Sequence, residues 1–367
     1  MKKIAWVTAD YFADTDLNYE IFKGICSEYD VDWYIIEGSK PYFTHDKYSV
    51  MNDIRNLKIR FLPSIYRTRD PRCLISYLKW MKMIKASKPD IIYYNVSPNP
   101  ASAIAVRMLD TEKVIFTAHD GKAQNDSSSF GLVRTLSYNL IFKKAKHIIM
   151  FSNSQADLLR ETYGKKDIHL LRLPLKNFGV LKESKPKDVI RFLSFGHIIF
   201  QKNIDLLIEA GNRLFERGYK NIRISINGTC TNWDDYKKLI RHEEIFECNP
   251  HFVSNDELLS LFATSHYAVF PYRRVSQSGV LKVAFNYNVP VIVSKLGAFI
   301  EEVEEGNNGW FFEAGNVESL TETMEKRIIE HSDYLNIQNK MKLYILSHYS
   351  DSAAVSSYLE LFNKMSL

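Results

Sequence analysis

Short apolar runs alternate with longer amphipathic stretches along nearly the whole chain. The runs Lys3–Ala9, Val31–Ile36, Leu57–Leu62, Asp90–Asn95, Lys113–Ala118, His147–Ser152 and His169–Leu173 carry β-forming residues and predict strands. Between them, Asn18–Glu28, Ile75–Lys85, Pro100–Leu109, Leu132–Lys143 and Ser154–Thr162 repeat apolar residues at helical spacing. Near-continuous apolar strands separated by such helices imply a parallel sheet buried on both faces.

The pattern stops at Val180–Asp188, a short charged stretch with one proline that reads as a linker. It restarts with strands at Ile190–Phe195, Ile222–Asn227, Tyr267–Phe270 and Val289–Ser294, and helices at Ile204–Leu214, from Trp233 and after Ser278. Ser254-Asn-Asp-Glu257 before a leucine-rich run is a capping box that opens another helix. Helices at Val317–His348 and Ser352–Met365 close the chain. The expectation is two Rossmann-like α/β domains, 1–180 and 188–349, facing each other across a cleft. Open α/β sheets bind ligands beyond the carboxyl ends of their strands.

Composition narrows the function. The chain has 367 residues, 46% hydrophobic and 25% charged, the profile of an ordinary globular protein long enough for two cores. Cys26, Cys73, Cys230 and Cys248 are scattered and form no CxxC pair, which argues for a reducing compartment and against a structural zinc, and no metal ligand is expected. The apolar start of the chain breaks at Asp10, too early for a signal peptide, and a cytoplasmic protein is expected. Asn95-Val-Ser97 and Asn227-Gly-Thr229 match the glycosylation sequon, which without an export signal counts for little. The net charge of +5 is too small to imply nucleic acid. It is uneven, about +8 over residues 1–180 and about −3 over the rest. The stretch Ile75–Lys85 mixes aromatic and basic residues; it is either an ordinary helix with a core stripe or one that rests on an anionic bilayer.

Two segments carry chemistry. In Phe192–Asn203 a strand ends at Gly196, and a loop with His197, Gln201 and Lys202 leads into a helix. A glycine lets a ligand approach the backbone, and a lysine beside a helix N-terminus suits a diphosphate. A plain strand–turn–helix connection has the same look. In Tyr267–Ser294 a strand leads through Gln277, Ser278, Gly279 and Val280 into an apolar helix whose first N–H groups form a second anion-friendly end. Ser278 is equally an ordinary N-cap.

Together these segments resemble the glycosyltransferase family 4 (group 1) enzymes of the GT-B fold. Gly196–Asn203 is similar to the family's Gly-Arg-x-x-x-x-Lys-Gly loop, with His197 at the Arg position and Lys202 at the Lys position. Ala284–Ile292, Ser294–Glu302 and Gly306–Phe312 resemble the helix, strand and glycine turn that follow, and Thr117-Ala-His119-Asp120 resembles the family's Thr-x-His-Asp. The family's two glutamates, seven residues apart, align with Val275 and Val283; a Gln-Ser-Gly loop resembles a branch without them. The first-strand loop also lacks the family's glycine pair.

The resemblance implies a metal-independent hexosyltransferase that retains configuration and uses a nucleoside-diphosphate sugar of UDP or GDP type. It implies that Lys202, His197 and the backbone of Ser278–Val280 neutralise the leaving phosphate, that His119 meets the sugar, and that Phe252 and Val253 hold the base after a strand-like Pro250-His251. A core role for Phe252 and Val253, and a structural role for His119, are the plain alternatives. No proton-transfer role attaches to Glu301. The implied acceptor is a glycan or lipid-linked sugar in surface polysaccharide assembly, met at the inner face of a membrane. A sugar-nucleotide epimerase, or a binding protein without chemistry, fits the same architecture. A dehydrogenase does not, because no Gly-x-Gly-x-x-Gly follows the first strand.

Overall fold

Residues 4 to 7 of the first strand are all buried, Ala5 and Val7 against one apolar cluster and Ile4 and Trp6 against another. Side chains alternate across a strand, so both faces of its sheet are covered. In the computed structural model, which describes residues 1–367 except 13–14, 39, 42–43, 68–69, 124–128, 277 and 366–367, that strand is β1 (Lys2–Ala9). The sheet continues with β2 (Tyr29–Glu37), β3 (Leu57–Pro63), β4 (Ile91–Asn95), β5 (Val114–Thr117), β6 (His147–Met150) and β7 (Asp167–Leu170). Its order is β3-β2-β1-β4-β5-β6-β7, all parallel, winding outward from β1 both ways. The helices α1 (Thr15–Ile25), α2 (Cys73–Ala86), α3 (Pro100–Ala105), α4 (Ser129–Phe142) and α5 (Asn153–Tyr163) cross between the strands.

Two readings of this half are corrected. The last strand begins at Asp167 rather than His169, because the register sets Asp167 opposite His147. On α2, Tyr77 and Trp80 are buried in the core, so its aromatic stripe is not a membrane face.

The second half repeats the architecture with β8 (Ile190–Phe195), β9 (Ile222–Asn227), β10 (Phe246–Asn249), β11 (Tyr267–Phe270), β12 (Val291–Ser294) and β13 (Gly309–Phe312). Their order is β10-β9-β8-β11-β12-β13, again parallel. The helices are α6 (Ile204–Glu216), α7 (Trp233–Lys237), α8 (Asn255–Thr264), α9 (Gly279–Asn286), α10 (Gly297–Ile300), α11 (Val317–Ile329) and α12 (Tyr334–His348). The capping box holds: Ser254 Oγ accepts from Glu257 N–H, and the Glu257 carboxylate accepts from Ser254 N–H. The strand expected at Pro250-His251 lies earlier, at β10, since proline has no N–H to give a ladder.

The chain divides into Met1–Arg172 with Ser350–Leu367, and Leu173–Tyr349. The first unit therefore ends before the expected residue 180, because Leu175, Phe178 and Leu181 pack on the second core and Phe178 N–H donates to the Tyr287 hydroxyl at 2.7 Å. The expected linker is docked too: Lys185 Nζ donates to the Phe262 carbonyl at 3.2 Å. The last helix, α13 (Asp351–Met365), belongs to the first unit, where Gly24 of α1 makes room for Val355. Among the described residues, no helix is long and apolar enough to cross a membrane.

Candidate functional site

At the carboxyl end of the second sheet, hydrogen bonding continues beyond the strands. Gly196 N–H donates to Asn227 O, Ile198 N–H to Thr229 O and Gly228 N–H to Asn249 O, each at 3.0 Å. This draws the loops after β8, β9 and β10 together. Gly228 has φ +142°, and a Cβ there would stand 1.9 Å from the Gly196 carbonyl oxygen, so no larger residue fits without moving backbone. Asn249 Nδ2 donates to Asn227 Oδ1 at 2.9 Å, and Asn227 Nδ2 to Ser225 Oγ at 2.8 Å, which locks the strand ends beneath the loop.

The β8 loop then turns through a single 3₁₀ turn, Phe200–Lys202, into α6. Asn203 makes the junction in the left-handed region (φ 55°, ψ 41°), a conformation that asparagine tolerates better than most residues. Lys202 is thereby turned inward. Its Nζ lies 3.6 Å from the centre of the fully buried Tyr272 ring, in a small pocket lined also by Gly196, His197, Ile204 and Asn227. The ring face attracts the ammonium, but loss of water costs more, and burial pushes Lys202 down to about 8. His197 and Gln201 are exposed on the same loop.

Arg273 holds that loop from the next segment. Its backbone N–H donates to Gln201 O at 2.9 Å, and its guanidinium donates to Phe200 O and to Asp205 Oδ2, each at 2.6 Å. Beyond it, Ser278 is buried and caps α9, its Oγ accepting from Leu281 N–H at 3.3 Å. The two loops meet where a Cβ on Gly196 would lie 3.4 Å from a Val280 methyl group. The Lys176 ammonium stands 3.6 Å from where a Cβ on Gly279 would be, so a second cation lies against the start of α9. A helix N-terminus and two lysines in one region make a place for a multiply charged anion.

Gly196, His197, Gln201, Lys202, Ser278, Gly279 and Val280 are thus gathered at one end of one sheet, while Gln277 lies outside the described residues. Phe252 is 77% exposed rather than a core residue, and Val253 packs partly on the core. Val275 and Val283, at the positions of the family's glutamates, both contribute to the apolar cluster around α9, with Val283 buried. His119 belongs to the first unit, just beyond β5; its Nε2 is 3.3 Å from Asn95 Oδ1 and its ring is 5.4 Å from that of Phe151. Glu301 follows α10 and is half-buried.

Sequence reasoning missed Gly228, Tyr272, Arg273 and Lys176. Gly228 was hidden inside a sequon match, although a glycine directly after a strand was a signal. Tyr272 and Arg273 follow a strand end, where ligand loops begin. Nothing local marked Lys176, which is carried to α9 by its neighbours Leu175 and Phe178 as they pack on the second core.

Two family models match. One, described as glycosyl transferases group 1, matches residues 176–344, and the other, Glycosyltransferase Family 4, matches residues 23–173. An uncharacterised glycosyltransferase of Haemophilus influenzae is 20% identical over 317 residues, 86% of each chain. Among solved structures, Anabaena HepE in complex with UDP and glucose aligns with a TM-score of 0.69 at 15% identity, covering 99% of this chain and 100% of that one. WaaG, a glycosyltransferase involved in lipopolysaccharide biosynthesis, aligns at 0.65 and 14% identity, covering 96% and 98%. At such identities the likeness is one of fold, and the fold is GT-B.

The backbone approach at Gly228 yields a stability prediction. Gly228→Ala forces the β8 and β9 loops apart and is expected to destabilise the second unit by about 1–3 kcal/mol. Urea unfolding measures this; an unchanged midpoint would show that the loops are not held this closely.

Proposed function

The chain belongs to the group 1 glycosyltransferases, and we propose that it moves a sugar from a nucleoside-diphosphate donor to a glycan or lipid-linked acceptor, with retention of configuration, in surface polysaccharide assembly. The observation that carries this reading is the desolvated Lys202 ammonium beside Gly196 and the start of α9. Cleaving the bond between sugar and diphosphate builds negative charge on the leaving phosphate. Lys202 meets that charge, and the N–H groups of Ser278–Val280 and the exposed His197 assist. A preorganised donor of this kind contributes about 3–4 kcal/mol to the transition state. Partly shielded from water, the ammonium acts in a lowered dielectric, where charge attraction is stronger.

Phe252, exposed beyond β10, offers a face for the base, and Val253, packed partly on the core, follows it. His119 hydrogen-bonds a sugar hydroxyl. With valines at both glutamate positions, this chain holds the donor ribose by some other group, and UDP and GDP are the donor classes to compare. Support for a UDP donor comes from HepE, solved with UDP and glucose, and for a polysaccharide setting from WaaG. No metal is required in this scheme, since side chains and a helix end supply the positive charge.

The acceptor side of the reading includes peripheral contact with an anionic bilayer. Leu132, Val133, Leu136 and Leu140 of α4 are exposed at helical spacing, with the exposed Lys143 and Lys144 following. An apolar stripe beside lysines is the pattern of an interfacial helix.

Thermal unfolding with UDP, GDP and ADP and no added metal is expected to pick out one nucleotide, and Lys202→Ala to abolish that shift and lower sugar transfer by roughly 10²–10³. A folded Lys202→Ala protein that keeps full turnover would remove the assignment. Because burial lowers the folded pKa of Lys202 to about 8, its ammonium is present below that pH and lost above it. Nucleotide affinity is therefore predicted to hold at pH 7 and fall by about tenfold per unit above 8; a flat calorimetric profile to pH 9.5 would uncouple Lys202 from the phosphates. Flotation with anionic vesicles tests α4: the wild type rises with the lipid and Leu132→Ser/Leu136→Ser does not, whereas equal behaviour of the two rules out this face.

A further inference from the structure

The edge of the first sheet carries a cluster that sugar transfer does not use. β6 and β7 pair with His147 opposite Asp167 and Ile149 opposite His169. Registered partners on parallel strands face the same way, as do residues two apart on one strand. His147, Asp167 and His169 therefore share one face. His147 Nδ1 is 2.9 Å and His169 Nε2 is 3.2 Å from the same oxygen, Asp167 Oδ2. One ligand atom from each residue lies within 4.8 Å of the others.

Ligand atoms bonded to zinc at about 2.0–2.1 Å in a tetrahedron stand roughly 3.3 Å apart. The two nitrogen-to-oxygen separations are already close to that value, before any ion draws the groups in. The imidazoles are almost enclosed, at 12% and 11% exposure, and Asp167 at 39% leaves a way in from solvent. His169 Nε2 is shut off from solvent and makes no hydrogen bond of good geometry. Asp167 offers its other oxygen, Oδ1, to Lys364 of α13 at 3.7 Å, a contact that orients the carboxylate as outer partners of metal ligands do.

We propose that His147, Asp167 and His169 bind one divalent transition-metal ion of the zinc type, with solvent completing four-coordination. Two imidazoles and one carboxylate suit zinc, cobalt, nickel or copper, whereas magnesium and calcium prefer oxygen ligands. The cluster sits where β6 and β7 begin, whereas ligand loops follow the ends of strands. The ion is accordingly a clasp for the edge strand β7, which has one neighbour in the sheet, and takes no part in catalysis.

Zinc alone, titrated calorimetrically into chelator-treated full-length protein, is expected to bind as one saturable equivalent and raise the unfolding temperature. Cobalt in its place is expected to give the visible absorption of a tetrahedral site. His147→Ala, His169→Ala and Asp167→Asn, each checked by far-ultraviolet circular dichroism, are expected to lose all three signals; if one variant fails to fold, the other two decide. Absence of a saturable equivalent in the wild type, or its persistence in the folded variants, overturns the proposal, the second outcome placing the ion on other side chains such as Cys230 or Cys248.

Discussion

Because each residue of β1 from Ile4 to Val7 is buried, alternately against two cores, helices are forced onto both faces of the sheet, and the open places for a ligand lie at the strand ends. The second half of the chain obeys the same constraint around β8 and β11. The candidate-site loops stand where they do for this reason: Gly196, Gly228 and Tyr272 each follow the last residues of a central strand. The opposite rim of each sheet is equally open to polar side chains, and the histidine–aspartate cluster occupies it in the first unit.

At one strand end the fold places an ammonium in poor solvent. Lys202 has exchanged part of its water for the face of Tyr272, and this burial lowers its pKa. A lysine on a free loop would swing out to water. This one is held inward by the left-handed turn at Asn203 and by Arg273, which grips the carbonyls of Phe200 and Gln201. Burying an ammonium costs solvation free energy that an anionic partner offsets, which is the physical basis for reading Lys202 as a phosphate ligand.

The fold was largely legible because strand burial on both faces writes itself as short runs dominated by apolar residues, and Ile190–Phe195, Ile222–Asn227 and Tyr267–Phe270 were read with their observed bounds. β10 was not, since Phe246–Asn249 carries a glutamate and a cysteine at a half-buried sheet edge and lacks such a run. For the site, Gly196 and Lys202 were visible as a strand-end glycine and a loop cation. Arg273 and Lys176 were not, because each acts through contacts distant in sequence: Arg273 on Asp205, and Lys176 on Gly279. The dual character of Phe252 was resolved only by its exposure, which periodicity does not encode next to a proline.

The return of α13 to the first unit also sets an order of events during synthesis. Trp6 meets Phe362 in an edge-on ring contact, and Tyr29 donates a hydrogen bond to Asn363. The first sheet thus lacks part of its cover until the ribosome has made α13, after the whole of the second unit. The second unit, continuous from Leu173 to Tyr349, has all its residues earlier. Although domains generally mature from the N-terminus onward, here the unit that is begun first is completed after the second, and its Trp6 face waits for α13.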